Sequence, residues 1–228
     1  MFDWMAAIKY NLRGSDYIGV FAVATDRYVF AGAGLTEASR KVVAEALGVE
    51  CIPSSVSGSD MIGIFARANS NGIALSNITE EWELGLIRKA CVGLNVVRIE
   101  SDLNTIGNNV LVNDKIAIIN PDYDNKAKVQ IEDAFGVETI RMEIGQFKTV
   151  GANNILTNKG IVVNNRAAEN EEAELEGLTG FRPEKTTANL GALGIGLSTV
   201  SNSFGLIAGR LTTGYEFSRI HDGLGIEG

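Results

Sequence analysis

A chain of 228 residues, 45% hydrophobic and 21% charged, has the composition of an ordinary globular protein, able to bury about 70% of the surface its unfolded form exposes. Its formal charge of -8, from 20 basic and 28 acidic residues, argues against a domain that coats nucleic acid by neutralising phosphates and suits a basic protein partner. One histidine and two cysteines outside any C-x-x-C pair argue equally against a structural zinc site.

The first residues, Met1 to Lys9, carry an early Asp3 and too short an apolar run for a signal peptide. The longest mostly apolar stretch, Leu190 to Leu197, is too short and too glycine-rich to span a bilayer. Together these predict a cytoplasmic chain, with Cys51 and Cys91 as buried free thiols.

From Ile18 onward the chain repeats. An apolar residue followed by glycine opens a short apolar run at Gly19, Gly63, Gly107, Gly151 and Gly196, in steps of 44, 44, 44 and 45 residues. A fixed period of this size marks an array of small supersecondary units. The run ends in a polar turn at Thr25-Asp26-Arg27-Tyr28, Asn69-Ser70-Asn71-Gly72, Asn113-Asp114-Lys115-Ile116, Thr157-Asn158-Lys159-Gly160 and Asn202-Ser203-Phe204-Gly205. Asn, Asp and Gly tolerate positive φ, which predicts tight hairpin turns and a strand restarting at Val29, Ile73, Ala117, Ile161 and Leu206.

A helix follows each hairpin, with Thr36, Thr79 and Thr213 as expected N-caps. Its apolar stripe contains Val43, Ile87, Ile131, Leu175 and Ile220, then Leu47, Val92, Phe135, Leu178 and Leu224 about four residues later. Gly48, Gly93, Gly136, Gly180 and Gly225 are the expected C-caps. A third strand is expected at Val49 to Ile52, Val96 to Ile99, Val137 to Ile140 and Phe181 to Glu184. The fifth unit lacks one, and the N-terminal segment 5–10 is predicted to supply it and close a ring, leaving no exposed sheet edge. The expectation is one α+β domain, 1–228, of five hairpin–helix–strand units spanning about 16–59, 60–103, 104–147, 148–192 and 193–228. The unit glycines would sit where backbones crowd the axis.

Five such units resemble the pentein fold. Within it, the motifs Ile106-Gly107-Asn108 with Val112-Asn113-Asp114, Thr149-Val150-Gly151 with Leu156 to Gly160, Thr187-Ala188-Asn189, and Thr212-Thr213-Gly214 with Asp222 to Gly225 are similar to the translation initiation factor 6 family in its archaeal form. The resemblance covers the chain from Ile18 to its end. It departs at Tyr215, where the family commonly has Pro, and before Asn11. It implies a non-enzymatic monomer without cofactor. Such a factor caps the large ribosomal subunit on the face that meets the small subunit, beside a ribosomal protein near the sarcin–ricin loop, with rRNA in reach and no DNA or membrane partner. Matched residue by residue, the family's contacts fall on Asn108 and Asn69. Asn108 stands out because it sits in a strand-like run where no turn demands it.

Other pentein relatives modify guanidino groups through an activated Cys with His and carboxylates. Cys51, Cys91 and His221 fall in different units and positions, and a nucleophile without a base in reach is not activated. The pairs Gly32-Ala-Gly34 and Gly194-Ile-Gly196 do not continue into a nucleotide-binding loop. The acidic run Glu169 to Glu176 reads as a solvated helix face, with attraction to a basic ribosomal protein as its functional alternative.

Overall fold

The computed structural model describes residues 7–226. Each glycine-led run opens on one helical turn rather than on a strand: Ile18–Val20, Ile62–Phe65, Ile106–Asn109, Val150–Asn153 and Ile195–Ser198. A run this short carries no decisive periodicity, so tertiary packing chooses its conformation. The glycines explain why these turns pack so closely. A Cβ on Gly63 would stand 1.8 Å from the Gly19 carbonyl oxygen, and one on Gly107 would stand 1.8 Å from that of Gly63. Gly151 likewise faces Gly107, Gly196 faces Gly151, and Gly19 faces Gly196.

Five three-stranded sheets follow. In the first, Ala22–Ala24 pairs antiparallel with Tyr28–Gly32, which pairs parallel with Glu50–Ser54. The pattern recurs in Ala66–Ala68, Gly72–Leu75 and Asn95–Arg98, then in Val110–Val112, Ile116–Ile119 and Glu138–Arg141. It recurs again in Ile155–Leu156, Ile161–Asn164 and Glu184–Thr186. The fifth sheet takes Thr199–Ser201 and Leu206–Gly209 from the end of the chain and Ala7–Tyr10 from its beginning. That N-terminal strand runs parallel to Leu206–Gly209, in register from Ala7 on Leu206 to Tyr10 on Gly209. Residues 5 and 6 of the expected strand lie outside the described residues.

Three local expectations need correction. First, none of the hairpin turns has a residue at positive φ; side chains hold them instead. Asn69 Oδ1 accepts from the amides of Asn71 and Gly72, and Asn113, Asn202, Thr25 and Thr157 do the same in their own turns. Second, the fourth unit's third strand starts at Glu184 rather than Phe181, because Pro183 has no N–H to give a ladder. Third, the helix Glu81–Ala90 is capped by Glu80 and Cys91 rather than by Thr79 and Gly93. The other long helices, Glu37–Leu47, Asn125–Phe135, Glu169–Thr179 and Gly214–Leu224, do end on left-handed Gly48, Gly136, Gly180 and Gly225.

The helical stripe is more regular than expected. Counting 28 residues from each unit glycine gives Leu47, Cys91, Phe135, Thr179 and Leu224, all buried. Val92, expected inside, is 82% exposed and Leu178 is half-buried. Each long helix covers the sheet of the unit before it. Leu84, Ile87 and Cys91 pack on Val23, Phe30 and Ile52; Ile131 and Phe135 on Ala74 and Ile99; Leu175 on Ile116 and Ile118. Ile220 and Leu224 pack on Val162, and Val43 and Leu47 on Val200 and Ile207. Since every core cluster spans two units, no unit buries its apolar face alone.

Buried glutamates tie the helix starts to the links between units. Glu83 is 2% exposed and accepts from Ser55 Oγ (2.6 Å), Ser57 N (2.7 Å), Gly58 N (3.0 Å) and Glu80 N (2.9 Å). Glu216, 5% exposed, does the same for Thr187, Leu190, Gly191 and Thr213. Burial pushes both carboxyls up, but these donors more than offset it and hold both below the usual carboxylate range. A depressed folded pKa stabilises above the unfolded value of about 4.3 and is lost as pH falls through the folded value. Thermal unfolding should therefore shift down as pH drops below about 4.5. Glu83→Gln should cost roughly 1–3 kcal/mol at neutral pH, because an amide cannot accept all four donors. The gap between variant and parent should narrow at pH 3 or so, and a gap that stays constant would contradict this account.

Candidate functional site

The first strands give the molecule two rows of residues, one at each end. Helical turns stand at the start of these strands and hairpin turns at their finish, so Asn108 and Asn69 lie at opposite ends. The structure does not bring them together.

The hairpin row spends its polar groups on itself. Asn69 is 3% exposed; its Nδ2 donates to Asn113 O (3.1 Å) and Phe135 O (3.0 Å), tying its unit to the next sheet and the next helix end. Asn202 does the same to Thr25 O and Leu47 O, and Asn113 reaches Thr157 O. One position on, Asp26 accepts from Ser203 N and Oγ, and Asp114 from Ser70 N and Oγ. Asn158 Nδ2 bridges both carboxylates, at 2.8 and 2.7 Å. Asn69 thus has both ends of its amide bonded inside the protein, and its task is to hold units together. Asn69→Ala should leave its donors and acceptors unpaired and lower stability by about 1–3 kcal/mol, read as a fall in melting temperature with secondary structure retained.

The helical row is different. Asn108 lies in the one-turn helix Ile106–Asn109, where its backbone N–H bonds Thr105 O at 3.0 Å. Its side-chain Oδ1 is fully covered and has no hydrogen-bond partner among the described residues. Asn109 beside it is satisfied by Thr105 and Asn120. The residues matching Asn108 on the other turns are Val20, Ile64, Ala152 and Leu197, all apolar. Just ahead of two of these turns, Tyr17 and Met61 are 45% and 42% exposed. Asn108 is therefore the polar member of an apolar row flanked by exposed large side chains. That arrangement suits a protein contact, in which an apolar centre is oriented by a few polar groups. Reading Asn108 as part of a strand misses this setting; that its counterparts are all apolar is legible in the repeat.

The residues considered for nucleophilic chemistry are not assembled. Cys51 lies on the strand Glu50–Ser54 and Cys91 at the end of the helix Glu81–Ala90. Burial pushes both thiols up, Cys91 to about 11 with Glu50 adding to the rise, so neither is a ready thiolate near neutral pH. His221 is half-buried on the helix Gly214–Leu224, three units' distance from Cys91 in sequence order, and its nearest acid is its neighbour Asp222 at 3.7 Å. Among the described residues no cluster of His, Cys, Asp and Glu is able to hold a metal ion, and no helix is long and apolar enough to cross a membrane.

Comparison with known proteins gives a consistent result. The model of the eIF-6 family matches residues 7–223. A curated relative from Thermoplasma acidophilum, named translation initiation factor 6, is 37% identical over 94% of this chain and 97% of its own length. Relatives of the same name from Pyrococcus horikoshii and Saccharolobus islandicus are 35% and 33% identical, each over 95% of this chain and over 97% and 98% of their own lengths. All three are named for a role in translation rather than for a catalysed reaction.

Proposed function

This chain belongs to the eIF-6 family, and we propose that it binds the large ribosomal subunit at the face that meets the small subunit and blocks their joining by steric exclusion. The observation that carries this reading is Asn108, a half-buried polar residue in an otherwise apolar row. Its Nδ2, which is not covered and makes no hydrogen bond among the described residues, is free to donate to an acceptor on a bound ribosomal protein beside the sarcin–ricin loop. The contact is assigned to the helical row, with Tyr17 and Met61 at its edge. No free hydrogen-bonding group of Asn69 supports a contact there, and that residue enters only as a support of the fold.

The scaffold is read as a closed pentein-type ring of five units around a five-fold axis. Supporting this are the cyclic order of glycine contacts and the N-terminal strand seated in the fifth sheet. A rigid body of this kind needs no cofactor: an interface of standard size, about 800 Å² on each partner, would occlude a bridge surface. The factor would act in the cytoplasm as a monomer. Co-sedimentation with isolated subunits tests the reading. The protein should travel with large subunits and not with small ones, and failure to travel with large subunits would remove the proposal. Replacing Cys51 and Cys91 together by Ala should leave that binding intact, whereas loss of binding in a folded double variant would reopen the guanidino-modifying alternative.

A further inference from the structure

The hairpin row contains the chain's only Asn-Gly pair, Asn71-Gly72. Packing asks for each residue separately. A Cβ on Gly72 would stand 2.0 Å from Ala134 O and 2.7 Å from Asn95 O, so the position takes glycine alone. Asn71 Nδ2 donates to Phe135 O at 3.0 Å, at the end of the helix Asn125–Phe135. The residues that match Asn71 in the other units, Arg27, Lys115, Lys159 and Phe204, offer no such amide.

Side by side, the two residues carry a chemical hazard. A glycine nitrogen has no side chain beside it to obstruct attack on the preceding carboxamide. In that reaction the Gly72 nitrogen gives up its proton and bonds to Asn71 Cγ, the Cγ–Nδ2 bond breaks, and ammonia leaves with the proton. Water then opens the resulting succinimide at either carbonyl, giving aspartate or isoaspartate at position 71. Either product replaces the donor that met Phe135 O by a carboxylate, set against the negative end of a helix. The folded turn withholds both reactants. Gly72 N donates to Asn69 Oδ1 at 3.0 Å, Asn71 N donates to the same oxygen at 3.0 Å, and the Asn71 carboxamide is held on Phe135 O.

We infer that Asn71 is a deamidation site built into this fold, kept silent by Asn69 Oδ1, and that its modification records opening of the boundary between the second and third units. The Gly72 nitrogen must lose its hydrogen bond before it can attack, so the reaction is confined to molecules in which the turn has opened locally. This gives Asn69 a task beyond support of the fold, independent of the ribosomal reading.

The repeat supplies the discriminating variant. Thr25 and Thr157 accept the amides of their own turns with a hydroxyl oxygen. Asn69→Thr therefore keeps an acceptor for Gly72 N while losing the Nδ2 bonds to Asn113 O and Phe135 O, and Asn69→Ala loses both. Each protein is held in mildly alkaline buffer well below its melting temperature, and conversion at Asn71 is followed by peptide mass mapping. The folded parent should keep Asn71 over a period in which the same chain unfolded in urea loses it. Asn69→Ala should react about tenfold faster than Asn69→Thr, as the loss of one hydrogen bond implies. Equal rates in the two variants, or a folded parent that reacts as fast as the unfolded chain, would overturn the inference. Should Asn69→Ala fail to fold, Asn69→Thr against the parent decides the matter. Similar rates in those two support the guard, and a threonine variant that reacts as fast as the unfolded chain refutes it.

Discussion

Gly107→Ala should abolish the folded state or leave a protein that melts at least 10 °C or so lower. The added Cβ would stand 1.8 Å from Gly63 O and 2.7 Å from Ala66 O, both backbone atoms with no freedom to swing aside. Relief would require the one-turn helices Ile62–Phe65 and Ile106–Asn109 to separate, and Gly151 packs against Gly107 from the other side. Overpacking a core typically costs about 1–3 kcal/mol. Here the obstruction is backbone and propagates to neighbouring units, so the cost should consume most of a stability of roughly 5–15 kcal/mol. Gly85→Ala is the control. Gly85 lies in the interior of the helix Glu81–Ala90 with open space where a Cβ would stand, and alanine there should gain about 1 kcal/mol from helix propensity. Similar melting temperatures for the two variants would mean that the glycine contacts do not govern assembly.

Asn108→Arg should weaken binding to the large subunit at least 100-fold or so, by setting a long cation into the centre of an apolar row, while the melting temperature changes little. Asn108→Ala makes the assignment sharper. Removing a covered, unbonded oxygen should raise stability by up to about 1 kcal/mol, or roughly 2–4 °C for a chain of this size. Affinity for the subunit should fall at the same time. A residue whose deletion stabilises the fold and weakens binding is kept for the partner. If Asn108→Ala is destabilised and binds normally, the residue is structural and the contact lies elsewhere.

Much of this molecule is legible in its sequence. The unit glycines, the phase of the five long helices and the N-terminal strand all follow from counting, because each unit repeats the same packing problem. What counting misses depends on contacts between units. A four-residue Ile-Gly-x-x run looks the same as a strand or as a helical turn, and the neighbouring unit's carbonyls decide which it becomes. Asn69 reads as a turn residue and, by resemblance, as a family contact; only the next sheet and the next helix end reveal that its Nδ2 is bonded. Hydrophobicity favours Leu178 over Thr179 for the core, yet the Thr179 hydroxyl closes on Leu175 O at 2.7 Å and lets a polar side chain occupy that position.

Subunit joining tests the central claim most directly. Large subunits preloaded with the protein and mixed with small subunits should form fewer joined particles in proportion to occupancy, measured by light scattering or gradient sedimentation. Asn108→Arg at the same concentration should leave joining unimpaired. If joining proceeds at the uninhibited rate and extent while the protein remains bound to the large subunit, the exclusion account is wrong.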